Sequence, residues 1–127
     1  MKVYRPSPEQ LPIFEMLYIS LDCLKKGLLN GCRKVLGLDE CFLKGAIKGE
    51  VLVAVGRDGN NQMFPVSWGV VDGERKATWM WFIGLLQHDL RLEDGKGWTV
   101  ITDQQKVMNF FYLCYMFISL RLHYSLN

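Results

Sequence analysis

Between Ile13 and Leu29 the apolar residues Phe14, Leu17, Leu21, Leu24 and Leu28 recur at spacings of three and four, the period of one helical face. That spacing predicts an amphipathic helix over 13–31, with Asn30 and Gly31 as its stop signal. Ahead of it, Pro6, Pro8 and Pro12 remove backbone donors and bias their predecessors away from helix, so 1–12 reads as an irregular leader. Three strand patterns follow. Val35–Asp39 is short and apolar, and EVLVAVG at Glu50–Gly56 is an uninterrupted run of the kind buried on both faces. RDGNN at Arg57–Asn61 carries the residues that tolerate positive φ and predicts a hairpin turn. Gln62–Val71 returns as a third strand, placed at an edge by Pro65, which cannot donate to a ladder.

Beyond a turn at Asp72–Arg75, Trp79, Phe82, Ile83, Leu86 and Leu90 fall on one stripe of a helix spanning Ala77–Leu90, with Thr78 as its N-cap. The spacing assigns Trp79, Trp81 and Phe82 to core packing rather than base stacking. RLEDGKG at 91–97 reads as a polar loop, and Trp98–Thr102 as a fourth strand ending at Asp103. If the first three strands form an antiparallel meander, a right-handed crossover makes the fourth parallel to the first. Asp39 and Asp103 then stand at the carboxyl ends of adjacent parallel strands, where open α/β sheets expose their sites. Two such carboxylates can share a Mg²⁺, which prefers oxygen ligands. Each also has a plain structural reading: Asp39 as a strand-end turn residue, Asp103 as a helix N-cap, and Asp58 as part of the Asp-Gly turn.

Composition narrows the class. With 127 residues, half of them apolar and 22% charged, the chain is about one globular domain. The net charge of +2 and the absence of any basic run longer than Lys25–Lys26 argue against strong autonomous nucleic-acid binding. Cys23, Cys32, Cys41 and Cys114 never reach a C-x-x-C spacing, and only His88 and His123 could join them, so free thiols are expected in place of a zinc site. No secretory signal opens the sequence.

Three stretches, GCRKVLGLDECFLKG, LVAVGRDGNNQMFPVSWGVVDGERKATWMWFIGLL and GWTVITDQQK, together resemble the transposases of Mutator-like elements, plant DDE-type enzymes with a ribonuclease H-like catalytic core. The resemblance runs from about Phe14 to Met108. It implies an α/β, partial ribonuclease H-like fold, a three-strand antiparallel meander plus a parallel fourth strand with packing helices. It also implies Asp39 and Asp103 as the first two catalytic carboxylates and metal ligands, Mg²⁺ or Mn²⁺ as cofactor, and transposon terminal inverted repeats in DNA and further transposase chains as partners. A nuclear location and DNA strand cleavage and transfer go with it. The family pattern DGCHLKG is altered here, with Glu40 for Gly and Phe42 for His, which would reshape the surroundings of the metal; solvent exposure is the expected fate of Glu40. No Asp or Glu follows Asp103, so the third carboxylate is missing. The organisation expected is a leader at 1–12, a helix at 13–31, a truncated transposase core at 32–106 and an apolar tail at 107–127. Val107–Leu120 is short of the roughly 20 residues a membrane span needs and is broken by Asn109. A transposase fragment inactive by itself is the leading expectation, and a domesticated non-catalytic interaction or DNA-binding module the alternative.

Overall fold

The structure is a computed structural model that describes residues 1–46, 48–92 and 97–102. Eight elements follow one another: β1 (Lys2–Tyr4), β2 (Ile13–Ser20), α1 (Asp22–Gly31), β3 (Cys32–Phe42), β4 (Glu50–Asp58), β5 (Met63–Val71), α2 (Lys76–Asp89) and β6 (Thr99–Thr102). They build a mixed α/β fold in which the six strands form one sheet, in the order β1-β2-β5-β4-β3-β6. The expected meander is present as β3, β4 and β5, antiparallel in succession. The expected crossover is present as well, since β6 pairs with β3 in parallel.

The N-terminal third differs from the pattern reading. Ile13–Ser20 is a strand, paired antiparallel to β5 from Met16↔Val71 to Ser20↔Ser67, and the helix begins only at Asp22. Phe14, Leu17 and Leu21 satisfy a helical period by coincidence. IFEMLYIS is rich in aromatic and β-branched residues, and pairing with β5 outweighs a weak local preference. The stop at Asn30–Gly31 does match the observed end of α1. Within 1–12, Lys2–Tyr4 pairs with β2, so the leader is not wholly irregular.

Adding β1 and β2 also moves β5 inside the sheet, against the edge position expected from Pro65. The proline is accommodated because β2 pairs only with 67–71 and because the β4–β5 register slips at Ala54/Val55, which leaves Pro65 beside a bulge and beyond the reach of β2. At α2, Arg75 occupies the cap position and Thr78 lies three residues inside the helix. There the Thr78 hydroxyl accepts from the Arg75 amide at 2.9 Å.

Both helices pack on the same face. Cross-strand partners share a side, so Tyr18, Gly69, Leu52 and Glu40 form one row across it, and Ser20, Ser67, Ala54 and Leu38 another. Phe82, wholly buried, sits above Gly69, where an added Cβ would lie 2.8 Å from its ring. Gly27 of α1 makes the same allowance for Phe64 of β5. The predicted α2 stripe is confirmed: Trp79, Phe82, Ile83, Leu86 and Leu90 are all buried, and Trp79 packs edge-on against Phe82. EVLVAVG, by contrast, is covered by helices on one side only among the described residues. Leu52 and Ala54 are fully buried under the helices, while Val51, Val53 and Val55 on the other side are half-buried.

A polar junction ties β2 and α1 to α2. Asp89 accepts from the Tyr18 phenol at 3.0 Å and from the Lys25 ammonium at 2.8 Å. Burial, with the Asp89 charge nearby, pushes the Tyr18 phenol up to about 12, although Ser67 opposes it. Burial also acts to raise the Asp89 carboxyl, but the hydrogen bonds from Lys25 and Tyr18 and the Lys25 charge hold the group below the usual carboxylate range.

Two stability outcomes follow from this packing. Gly69→Ala should cost about 1–3 kcal/mol by overpacking against the immobile Phe82 ring, read from urea denaturation. Asp89→Asn should cost about 1 kcal/mol near pH 7. Because the folded carboxyl is depressed, its contribution is complete above the unfolded value near 4 and disappears as pH falls through the lower folded value. The gap between variant and parent should therefore narrow at pH 3, and a gap that widened in acid would contradict the assignment.

Candidate catalytic carboxylates

Asp39 lies in the body of β3, three residues before the end of an eleven-residue strand, rather than at a strand terminus. Alternation from the buried Leu38 turns it to the face opposite the helices, where it is exposed. Exposure spares the carboxylate the cost of burying an unpaired charge. The Glu40 amide donates to Asp39 Oδ1 at 2.9 Å. Across the open face, Asp39 pairs with Val53, Val53 with Trp68, and Trp68 with Ile19.

The parallel register of β3 and β6 runs from Val35↔Thr99 to Leu38↔Thr102. Its last pair consists of the residues that directly precede Asp39 and Asp103 in the chain. Asp103 itself lies outside the described residues, as do Cys114, His123 and the tail over 107–127. Among the described residues, no three His, Cys, Asp or Glu side chains gather as a metal cluster, and Cys23, Cys32 and Cys41 are free thiols.

The two altered positions behave differently. Glu40 is half-buried on the helix-covered side, between Leu38 and Phe42, and not exposed as expected. Phe42 closes β3 with 75% of its surface exposed. Asp58 has the turn role expected of it: its Oδ1 accepts from the amides of Asn60 (2.9 Å) and Gln62 (2.8 Å), and Asn61 takes the left-handed φ of 61°. Trp79, besides its packing, donates its indole N–H to Glu74 at 2.9 Å.

Sequence periodicity did not single out Trp68, Arg33 or Arg57. Trp68 was hidden within a strand pattern, and the two arginines are separated in the chain by 24 positions (57 − 33). Both reach carbonyls of the β4–β5 turn, Arg33 because β3 pairs with β4.

A parallel strand pair carrying an exposed carboxylate, built onto an antiparallel meander with both helices on the other side, defines a mixed α/β domain. The family model described as the MULE transposase domain matches residues 35–110, which include β3 through β6. The chain belongs to the Mutator-like transposase family. No curated protein and no solved structure matches it. No helix among the described residues is long and apolar enough to cross a membrane.

Assignment of Asp58 to the turn is directly testable. Asp58→Ala should lower stability by about 1–2 kcal/mol through the loss of two amide partners and leave any Mn²⁺ binding unchanged in a titration of the folded variant. Loss of metal binding without loss of stability would instead mark Asp58 as a ligand.

Proposed function

We propose that this chain carries the first part of a DDE-type catalytic core of ribonuclease H-like descent, extending over 32–106, and that it does not cleave DNA by itself. The family match and the β3–β6 register, which stops one residue before both Asp39 and Asp103, carry this reading. An exposed carboxylate offers the hard oxygen donors that Mg²⁺ and Mn²⁺ prefer, so the chemistry of Asp39 suits such an ion. In this reading Asp39 and Asp103 hold it. The bound cation would supply charge stabilisation at a phosphodiester and activation of the attacking oxygen. DNA carrying terminal inverted repeats is the substrate class and the nucleus the matching compartment. The proposed inactivity concerns these 127 residues, which hold no Asp or Glu after Asp103.

A second reading, a non-catalytic module that keeps the fold and binds DNA or protein, is favoured by Phe42. An exposed phenyl ring there neither binds metal nor transfers protons, yet it suits an interface.

Purified chain incubated with Mg²⁺ or Mn²⁺ and inverted-repeat DNA should give no nicked product on a denaturing gel. Metal-dependent cleavage that Asp39→Ala abolishes would overturn the inactivity. Calorimetric titration should detect weak Mn²⁺ binding that Asp39→Asn and Asp103→Asn each reduce. Binding indifferent to both variants removes the metal from the reading and leaves the interaction module.

A further inference from the structure

The charge of this molecule is small in total but unevenly placed. At the β4–β5 hairpin, the exposed Arg33 and Arg57 both reach carbonyls of the turn. Arg33 donates to the Gly59 carbonyl at 3.4 Å and Arg57 to the Asn61 carbonyl at 3.1 Å, so both guanidinium groups rest on neutral partners. The ion pairs among the described residues join Lys2 to Glu15, Lys25 to Asp89, Lys26 to Asp22 and Arg75 to Asp72. None of them draws on these arginines. Asp58, the carboxylate at the same hairpin, is occupied by the turn amides of Asn60 and Gln62.

Position matters as much as charge. Val53 is the cross-strand partner of Asp39, and Val53, Val55 and Arg57 alternate onto one side of β4. Arg57 therefore shares the open face with Asp39. Four residues of strand separate Arg57 from the Asp39 row, about 13 Å at the usual rise. A DNA strand presents a phosphate about every 3.4 Å of helix axis, so roughly four nucleotides cover that span. Guanidinium groups suit the purpose, since each offers five N–H donors in a fork that fits phosphate oxygens, and one carbonyl contact leaves most of the fork available. The hydrogen bonds to Gly59 and Asn61 also hold the arginines in place before any ligand arrives, which reduces the ordering cost of binding.

We propose that Arg33 and Arg57 form a backbone-phosphate contact for duplex DNA, setting the register of the strand whose phosphodiester meets Asp39. This rests on the reading that the chain acts on DNA. It adds a positioning surface that neither composition nor net charge indicates. Contacts of this kind orient the duplex without reading its sequence.

The test is fluorescence anisotropy with a dye-labelled 20-base-pair duplex and the full chain, over 50–200 mM KCl. Each phosphate contact contributes about 0.9 to the slope of log affinity against log salt. Arg33→Gln with Arg57→Gln should therefore lower that slope by nearly two, making the affinity about tenfold less salt-sensitive across the range. Lys26→Gln, on the helix-covered side and paired with Asp22, should keep the parent slope, as should Arg33→Lys with Arg57→Lys. Far-UV circular dichroism should show the glutamine variant folded. A glutamine variant with the parent slope, or a parent chain whose binding shows no salt dependence, overturns the proposal. Asp39→Asn separates it from the catalytic reading: that variant should retain the full slope, whatever the cleavage assay shows.

Discussion

Everything about the candidate site depends on both helices lying on one side of the sheet. Phe82 of α2 occupies the space above Gly69, and Leu28 of α1 lies against Gly56, so the covered face is filled from β2 to β3. A side chain at either glycine would lift a helix away from the strands. Because the cover is one-sided, alternation along β3 has chemical consequences: Leu36 and Leu38 enter the core, and Asp39 between Leu38 and Glu40 turns to the open side. A one-residue slip of β3 would bury the carboxylate among leucines, at a cost of several kcal/mol. The packing of α1 and α2 thus constrains the position of Asp39 without touching it.

The second determinant is the parallel addition of β6 to the β3 edge. An antiparallel fourth strand would point its carboxyl end away from Asp39. The crossover through α2 reverses that, and its handedness follows from strand twist rather than from any residue at the site. Asp39 and the chain beyond Thr102 are therefore related by topology. The family match across 35–110 covers β3 from Val35 onward, the rest of the meander, α2 and β6.

Much of this was legible in the sequence because the relevant signals are local. RDGNN specifies its own turn through the Asp58 carboxylate and the left-handed Asn61, and the α2 stripe needs only one helix face to be apolar. The meander and the parallel crossover follow from turn chemistry and handedness. Non-local pairing was illegible. Ile13–Ser20 carries a periodic pattern compatible with either helix or strand, and only the presence of β5 as a partner decides between them. That one pairing also explains the misplacement of Pro65, since an added β2 turns a presumed edge into an interior strand with a bulge. The sequence reading placed Asp39 at a strand end, whereas it lies within β3, three residues before its end. EVLVAVG suggested burial on both faces, whereas Val51, Val53 and Val55 are only half-buried and Asp39 is exposed beside them.

That open face joins chemistries that composition averages away. Its central row, Ile19, Trp68, Val53 and Asp39, is apolar up to its last member, and Arg57 lies further along the same side of β4. A net charge of +2 spread evenly would give little attraction to a polyanion. Segregation changes the local balance: at the hairpin the carboxylate of Asp58 is committed to backbone amides, while the arginines rest on carbonyls that leave their charge intact. The Asp39 row differs, with an exposed carboxylate in line with Val53, Trp68 and Ile19. The exposed guanidinium charge at the hairpin favours an anion there. The same face therefore divides its exposed charge, with the Arg57 guanidinium towards the hairpin and the Asp39 carboxylate in the central row. That division follows from strand alternation and turn chemistry, before any third carboxylate is considered.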